Sequence, residues 1–188
     1  MTKANTINSD FLFIYYIISF LEGSALMATE IVAAKLIAPY FGMSIYVWTA
    51  VLAATLGGLA LGYYAGGILS QKMPHKKLSL ILLFSTIYML LLPFFGRFIM
   101  ESFMPLPIKP AVSLSMLLIL SPIMFAFGMV SPIIIAILSL KNSNTGSSVA
   151  AVYTISTMGG VLATLFFNLF LIFKVGILLS LNLLLIFF

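Results

Sequence analysis

Phe20-Leu-Glu-Gly-Ser-Ala-Leu-Met-Ala-Thr-Glu-Ile-Val-Ala-Ala-Lys-Leu-Ile-Ala-Pro-Tyr-Phe-Gly42 places Glu22, Glu30 and Lys35 inside a run that is otherwise apolar. The run is long enough to span a membrane, because about 20 apolar residues cross a hydrocarbon core of about 30 Å. A carboxylate at that depth costs about 2.5 kcal/mol or more on insertion scales, so it faces a partner or a cavity and marks function. Only 7% of the chain is charged, so three charges in one span demand a reason.

The rest of the 188 residues reads the same way. The chain is 63% hydrophobic, against roughly 45–50% apolar and about 25% charged residues in soluble domains. This composition predicts an all-α, polytopic integral membrane protein. A soluble bundle would need a polar outer face, and these segments are apolar all round. A β-barrel would need period-two alternation, which is missing. There is no Cys, which excludes disulfides, thiolate metal sites and cysteine nucleophiles. One His cannot build a histidine metal cluster, so no metal and no cofactor is expected. The net charge of +5 belongs to the loops; it reports orientation in the lipid bilayer and not nucleic-acid binding.

The apolar runs predict about six spans: 11–38, stopped by Pro39; 44–70; 78–99, with Pro93 in its last turns; 111–140, with Pro110 at its start; 148–173; and a last one from Val175. Residues 1–10 form a short polar N-terminal segment, and 11–188 form the transmembrane domain. Gly23-Ser24-Ala25 mimics a cleavage site, but the first run is too long for a signal peptide and reads as a retained helix. The last run is still apolar at Phe188 and would be about 21 Å long at ~1.5 Å per residue. That falls short of the hydrocarbon core, so the last helix is expected to be truncated. The most basic loop holds Lys72, Lys76 and Lys77 and is expected to be cytoplasmic. The N-terminus with Lys3, and Lys141, then lie inside a multi-pass protein of the cell (inner) membrane. Arg97, Glu101, Lys109 and Lys174 lie outside.

Several motifs add detail. Gly58, Gly62 and Gly66 form a double G-x-x-x-G, which places three glycines on one helix face for close helix packing. Gly159 and Gly160, beside Ser156 and Thr157, are expected to pack in the same manner. Pro122 and Pro132 are expected to break the fourth helix on either side of Gly128, as a hinge bordering a pathway. Tyr40, Tyr46 and Trp48 fall at one membrane end, as an interfacial belt or as a cation–π contact for an amine. His75, between Pro74 and Lys76, is expected to be solvated.

In the first helix Glu22 and Glu30 are about 80° apart around the axis and ~12 Å apart along it. Glu30 and Lys35 are about 140° apart, too far for an ion pair within the helix; Lys35 can snorkel to the interface. Glu30 is expected to be the main charge, with Glu22 its helper. Thr29, Tyr46, Ser131, Tyr153, Thr157 and Asn168 are its candidate partners. It either closes a hydrogen bond between helices or holds a cation or proton.

The loop Gly67-Ile-Leu-Ser-Gln-Lys-Met-Pro-His-Lys-Lys-Leu78 resembles the loop between the second and third helices of major-facilitator transporters, with Gln71 where that family has Asp. A broader likeness runs through Glu30-Ile-Val-Ala-Ala-Lys-Leu-Ile-Ala-Pro-Tyr-Phe-Gly42, Ser44-Ile-Tyr-Val-Trp48, Leu59-Ala-Leu-Gly-Tyr-Tyr-Ala-Gly-Gly67, Gly128-Met-Val-Ser-Pro132 and Tyr153-Thr-Ile-Ser-Thr-Met-Gly-Gly160. From about Phe20 to Gly176 the chain resembles the membrane domain of the spermidine-synthase-like proteins, also called fused major-facilitator/spermidine-synthase proteins. The resemblance implies half of a major-facilitator transporter, completed by a homo-oligomeric partner or by further chain. It also implies an aminopropyltransferase-like soluble domain or subunit as partner. The chain itself has none of that domain's strands, Gly-rich loop or acid cluster, so it is not expected to be an enzyme; an intramembrane enzyme would also lack the groups it needs. The expected role is a transporter-like module for a polyamine or another small organic cation, bound by Glu30, Glu22, Tyr46, Trp48 and Tyr153. The alternative is a non-transporting anchor that docks the soluble domain.

Overall fold

The computed structural model describes residues 9–140 and 145–166. Every regular element among them is helix: α1 Ser9–Phe41, α2 Ile45–Leu69, α3 Pro74–Phe103, α4 Ile108–Ser139 and α5 Thr145–Phe166. All five are long and apolar enough to cross a membrane, so the chain folds as a helical, multi-pass membrane protein. The predicted sixth span, Lys3, Lys141, Asn168 and Lys174 lie outside the described residues.

Local chemistry sets the helix ends, and several of them depart from the sequence reading. α1 runs through Pro39 to Phe41. Proline within the last turn removes one backbone donor but does not by itself end a helix. Gly42 ends it, at φ +74, in the left-handed conformation that glycine adopts without steric cost. α3 begins at Pro74 rather than at Leu78, with proline in the first turn, where its missing N–H is not needed. Lys77 Nζ donates to Leu69 O at 2.8 Å and closes the end of α2. α4 is one continuous helix across Pro122 and Pro132, so the expected break is not there. Pro122 cannot donate to Leu118 O. The Tyr88 hydroxyl of α3 lies 3.2 Å from that carbonyl and 2.8 Å from Ile119 O, which keeps the polar backbone satisfied in a setting without water.

Short connections make helices consecutive in the chain antiparallel, so α2 and α4 run parallel, as do α1 and α5. α4 is the hub: it packs most extensively on α2, then on α3, and also touches α1 and α5. Its residues Ile119, Leu120, Ile123, Met124, Phe127 and Val130 are fully buried. The second large pairing joins α1 to α5.

Both pairings run along glycines. A methyl added at Gly62 would lie 2.9 Å from Gly128 Cα and would overlap the Phe125 carbonyl. One added at Gly66 would lie 2.7 Å from Met129 Cα. On the other side, a side chain at Gly23 would strike the Ser156 carbonyl, and one at Gly159 would strike that of Phe20. A methyl added at any of Gly58, Gly62, Gly66, Gly159 and Gly160 would lie less than 3 Å from an atom of the facing helix. Gly128 belongs to the same set, packed against the α2 backbone at Leu59 and Gly62.

Gly57 offers a control on the same helix, since it is exposed and nothing lies within 4 Å of a methyl placed there. Gly62→Ala is expected to destabilise the protein by about 1–3 kcal/mol through overpacking, and Gly57→Ala to stay within about 0.5 kcal/mol of the parent. Unfolding of the two variants in detergent reads the difference; equal stabilities would contradict the seam.

Candidate functional site

Four helices meet around Glu22. Gly23, the next residue, lets α1 lie against the α5 backbone at Ser156. That contact carries the Ser156 hydroxyl to the acid: Ser156 Oγ donates to Glu22 Oε2 at 2.9 Å. Ser131 Oγ of α4 reaches the same oxygen at 3.5 Å, the outer limit of a hydrogen bond. Glu22 is 2% exposed and lies about 20 Å along α1 from Ser9 at ~1.5 Å per residue, well inside the span.

The acid borders a cavity of about 360 Å³ between α1, α2, α4 and α5. Tyr63, Tyr153 and Thr157 supply further polar groups, and Leu26, Met27, Leu59, Val161 and Leu165 the apolar wall. Among the described residues no cationic side chain lines it. Oε1 of Glu22 has no hydrogen-bond partner among the described residues. Nor do three His, Asp or Glu side chains converge anywhere among those residues, so Glu22 acts as a lone acid. The site is therefore a buried carboxyl held from one side by hydroxyls and open on the other to a cavity of the size that takes small molecules.

The other predicted site residues are dispersed. Glu30, read as the main charge, is half-buried and has no hydrogen-bond or ion-pair partner among the described residues. Of its candidate partners, Ser131, Tyr153 and Thr157 belong to the Glu22 cavity. Thr29 bonds Ala25 O at 2.6 Å in its own helix. Tyr46 lines a separate cavity of about 340 Å³ at the far end of α2, with Thr49, Lys109 and Ser113. There the Lys109 ammonium sits 4.9 Å from the Tyr46 ring centre, so the protein's own cation occupies the ring face expected to receive an amine. Trp48 is exposed and borders neither cavity. His75 is exposed, as expected, but its Nδ1 is also 2.7 Å from the hydroxyl of buried Tyr15, which ties α1 to the start of α3.

Sequence reasoning passed over Tyr63 and saw Ser156 only as a neighbour of the packing glycines. Adjacency was the available signal: Tyr63 follows Gly62 and Ser156 precedes Gly159 by three, so each rides beside a close contact. In comparison with known proteins, the chain matches no family model, no curated protein and no solved structure at a significant level.

The two serine contacts differ enough to be separated. Ser156→Ala is expected to lower stability by about 1 kcal/mol, typical of a hydrogen bond between membrane helices. Ser131→Ala should cost less, because its contact is longer. Unfolding free energies in detergent test this ranking, and a larger loss from Ser131→Ala would reverse the assignment.

Proposed function

We propose that this chain is the membrane module of a spermidine-synthase-like protein, built as six spans on the plan of half a major-facilitator transporter, and that it carries a small organic cation. The observation that carries this reading is the buried Glu22, which among the described residues has one oxygen without a partner and borders a cavity with no cationic side chain. A carboxyl kept at this depth without an internal counter-charge is costly to insert, and a bound cation or proton offsets that cost. Tyr63 and Tyr153 add aromatic faces that attract ammonium groups. Glu22 takes the principal role and Glu30, outside the cavity, a secondary one. The module performs no aminopropyl transfer; that chemistry belongs to a soluble partner domain or subunit. A second copy or further helices complete the transport path.

Transport in vesicles with reconstituted protein decides between this reading and a passive anchor. Glu22→Gln is expected to reduce amine uptake at least about tenfold, on the scale of a lost charged contact, while Glu30→Gln leaves most of it. Uptake unchanged in Glu22→Gln, or absent from the parent, favours the anchor.

Orientation is tested separately, because the cysteine-free chain accepts single reporters. With the N-terminus in the cytoplasm of a cell (inner) membrane, a Lys72→Cys reporter is labelled by an impermeant thiol reagent only from inside and a Lys109→Cys reporter only from outside. The reverse pattern would invert the topology.

A further inference from the structure

We infer that the Glu22 cavity selects a singly charged amine with an apolar body over a polyamine. This rests on the cation-binding reading above and narrows its substrate class. Among the described residues bordering the cavity, Glu22 is the sole charged one. One of its oxygens is taken by serine hydroxyls and the other is open, so the site offers one carboxylate edge to one ammonium group. Ser131, Ser156 and Thr157 cluster with it, and Tyr63 and Tyr153 add phenol groups and ring faces. The remaining wall of Leu26, Met27, Leu59, Val161 and Leu165 is apolar.

A second ammonium on the same ligand would have to sit against that wall. Glu30 cannot neutralise it from within the cavity, since it is not among the lining residues and lies ~12 Å farther along α1. Burying a charge without a partner is strongly unfavourable, whereas a methyl group in that position gains from apolar contact. Charge count therefore sets the specificity and the tyrosines add only tolerance of shape.

The matched probes are n-butylamine and 1,4-diaminobutane, which differ by one terminal ammonium, together with spermidine. Binding of each to the full chain in lipid nanodiscs is measured by calorimetry. The expected result is at least about tenfold tighter binding of n-butylamine than of the diamine, weaker binding still of spermidine, and loss of all three in Glu22→Gln. A diamine or spermidine that binds as tightly as the monoamine, and is lost in Glu22→Gln, overturns this inference while leaving the cation site in place. Failure of every amine to bind, or binding unchanged in Glu22→Gln, overturns the cation site itself and the inference with it. Should Glu22→Gln fail to fold, Thr157→Glu carries the test. It adds a second acid to the wall and should reverse the preference toward the diamine; an unchanged order in that variant overturns the charge-count argument.

Discussion

Where Gly62 of α2 meets Gly128 of α4, two backbones touch with no side chain between them. Lipid tails are as apolar as leucine, so helices in a membrane gain nothing by hiding apolar surface from their solvent. What holds them is close packing, and that needs small residues at the contact. The α2–α4 pairing meets this need along Gly58, Gly62 and Gly66, and the α1–α5 pairing meets it at Gly23 and Gly159. The second contact also builds the site. Because α1 and α5 approach to backbone distance at Gly23 and Ser156, the Ser156 hydroxyl falls within 2.9 Å of Glu22. A bulkier residue at position 23 would move α5 outward and leave the carboxyl without its nearest donor.

The membrane class and five of the spans were legible in the chain, because crossing a bilayer demands an unbroken apolar run that composition cannot hide. The glycine seam was legible too, since spacing by four fixes a helix face. Glu22 and Glu30 were ranked in the order opposite to the one their burial gives, for a physical reason. α1 is apolar on every side, so no stripe marks which face turns inward, and depth along the axis was the remaining guide. Depth favours neither acid decisively, whereas the neighbours do. Glu22 adjoins Gly23, where α5 closes on α1, and Glu30 has no glycine beside it.

Aromatic grouping misled in a related way. Tyr46, Trp48 and Tyr153 looked like one set, but a polytopic chain returns to the same membrane end only at alternate helix ends. Tyr46 and Trp48 stand at the start of α2, among the ends of α1 and α3. Tyr63, near the other end of α2, shares its cavity with Tyr153. Lys109 then settles the chemistry of the Tyr46 cavity by covering the ring with a positive charge. The two cavities are thus opposite in character, one acidic and within the span, the other basic and at a helix end.

The prolines of α4 bear on how such a protein could move. Proline in a membrane helix frees a carbonyl, and a freed carbonyl without a donor would favour a break. Tyr88 covers the one released by Pro122, and α4 runs unbroken as the hub of the packing. Rearrangement within α4 is then expensive, and so is separation of α2 from α4, which share the tightest seam. The contacts of α4 with α1 and α5 are much less extensive, and across them the long Ser131–Glu22 bond is the main polar link. The α1–α5 pair meets the α2–α3–α4 group through much less packing than joins α2 to α4, and the boundary between those two groups runs through the cavity that holds Glu22. A carboxyl placed on that boundary takes its short hydrogen bond from Ser156 of α5 and its long one from Ser131 of α4, so the two groups of helices hold it unequally.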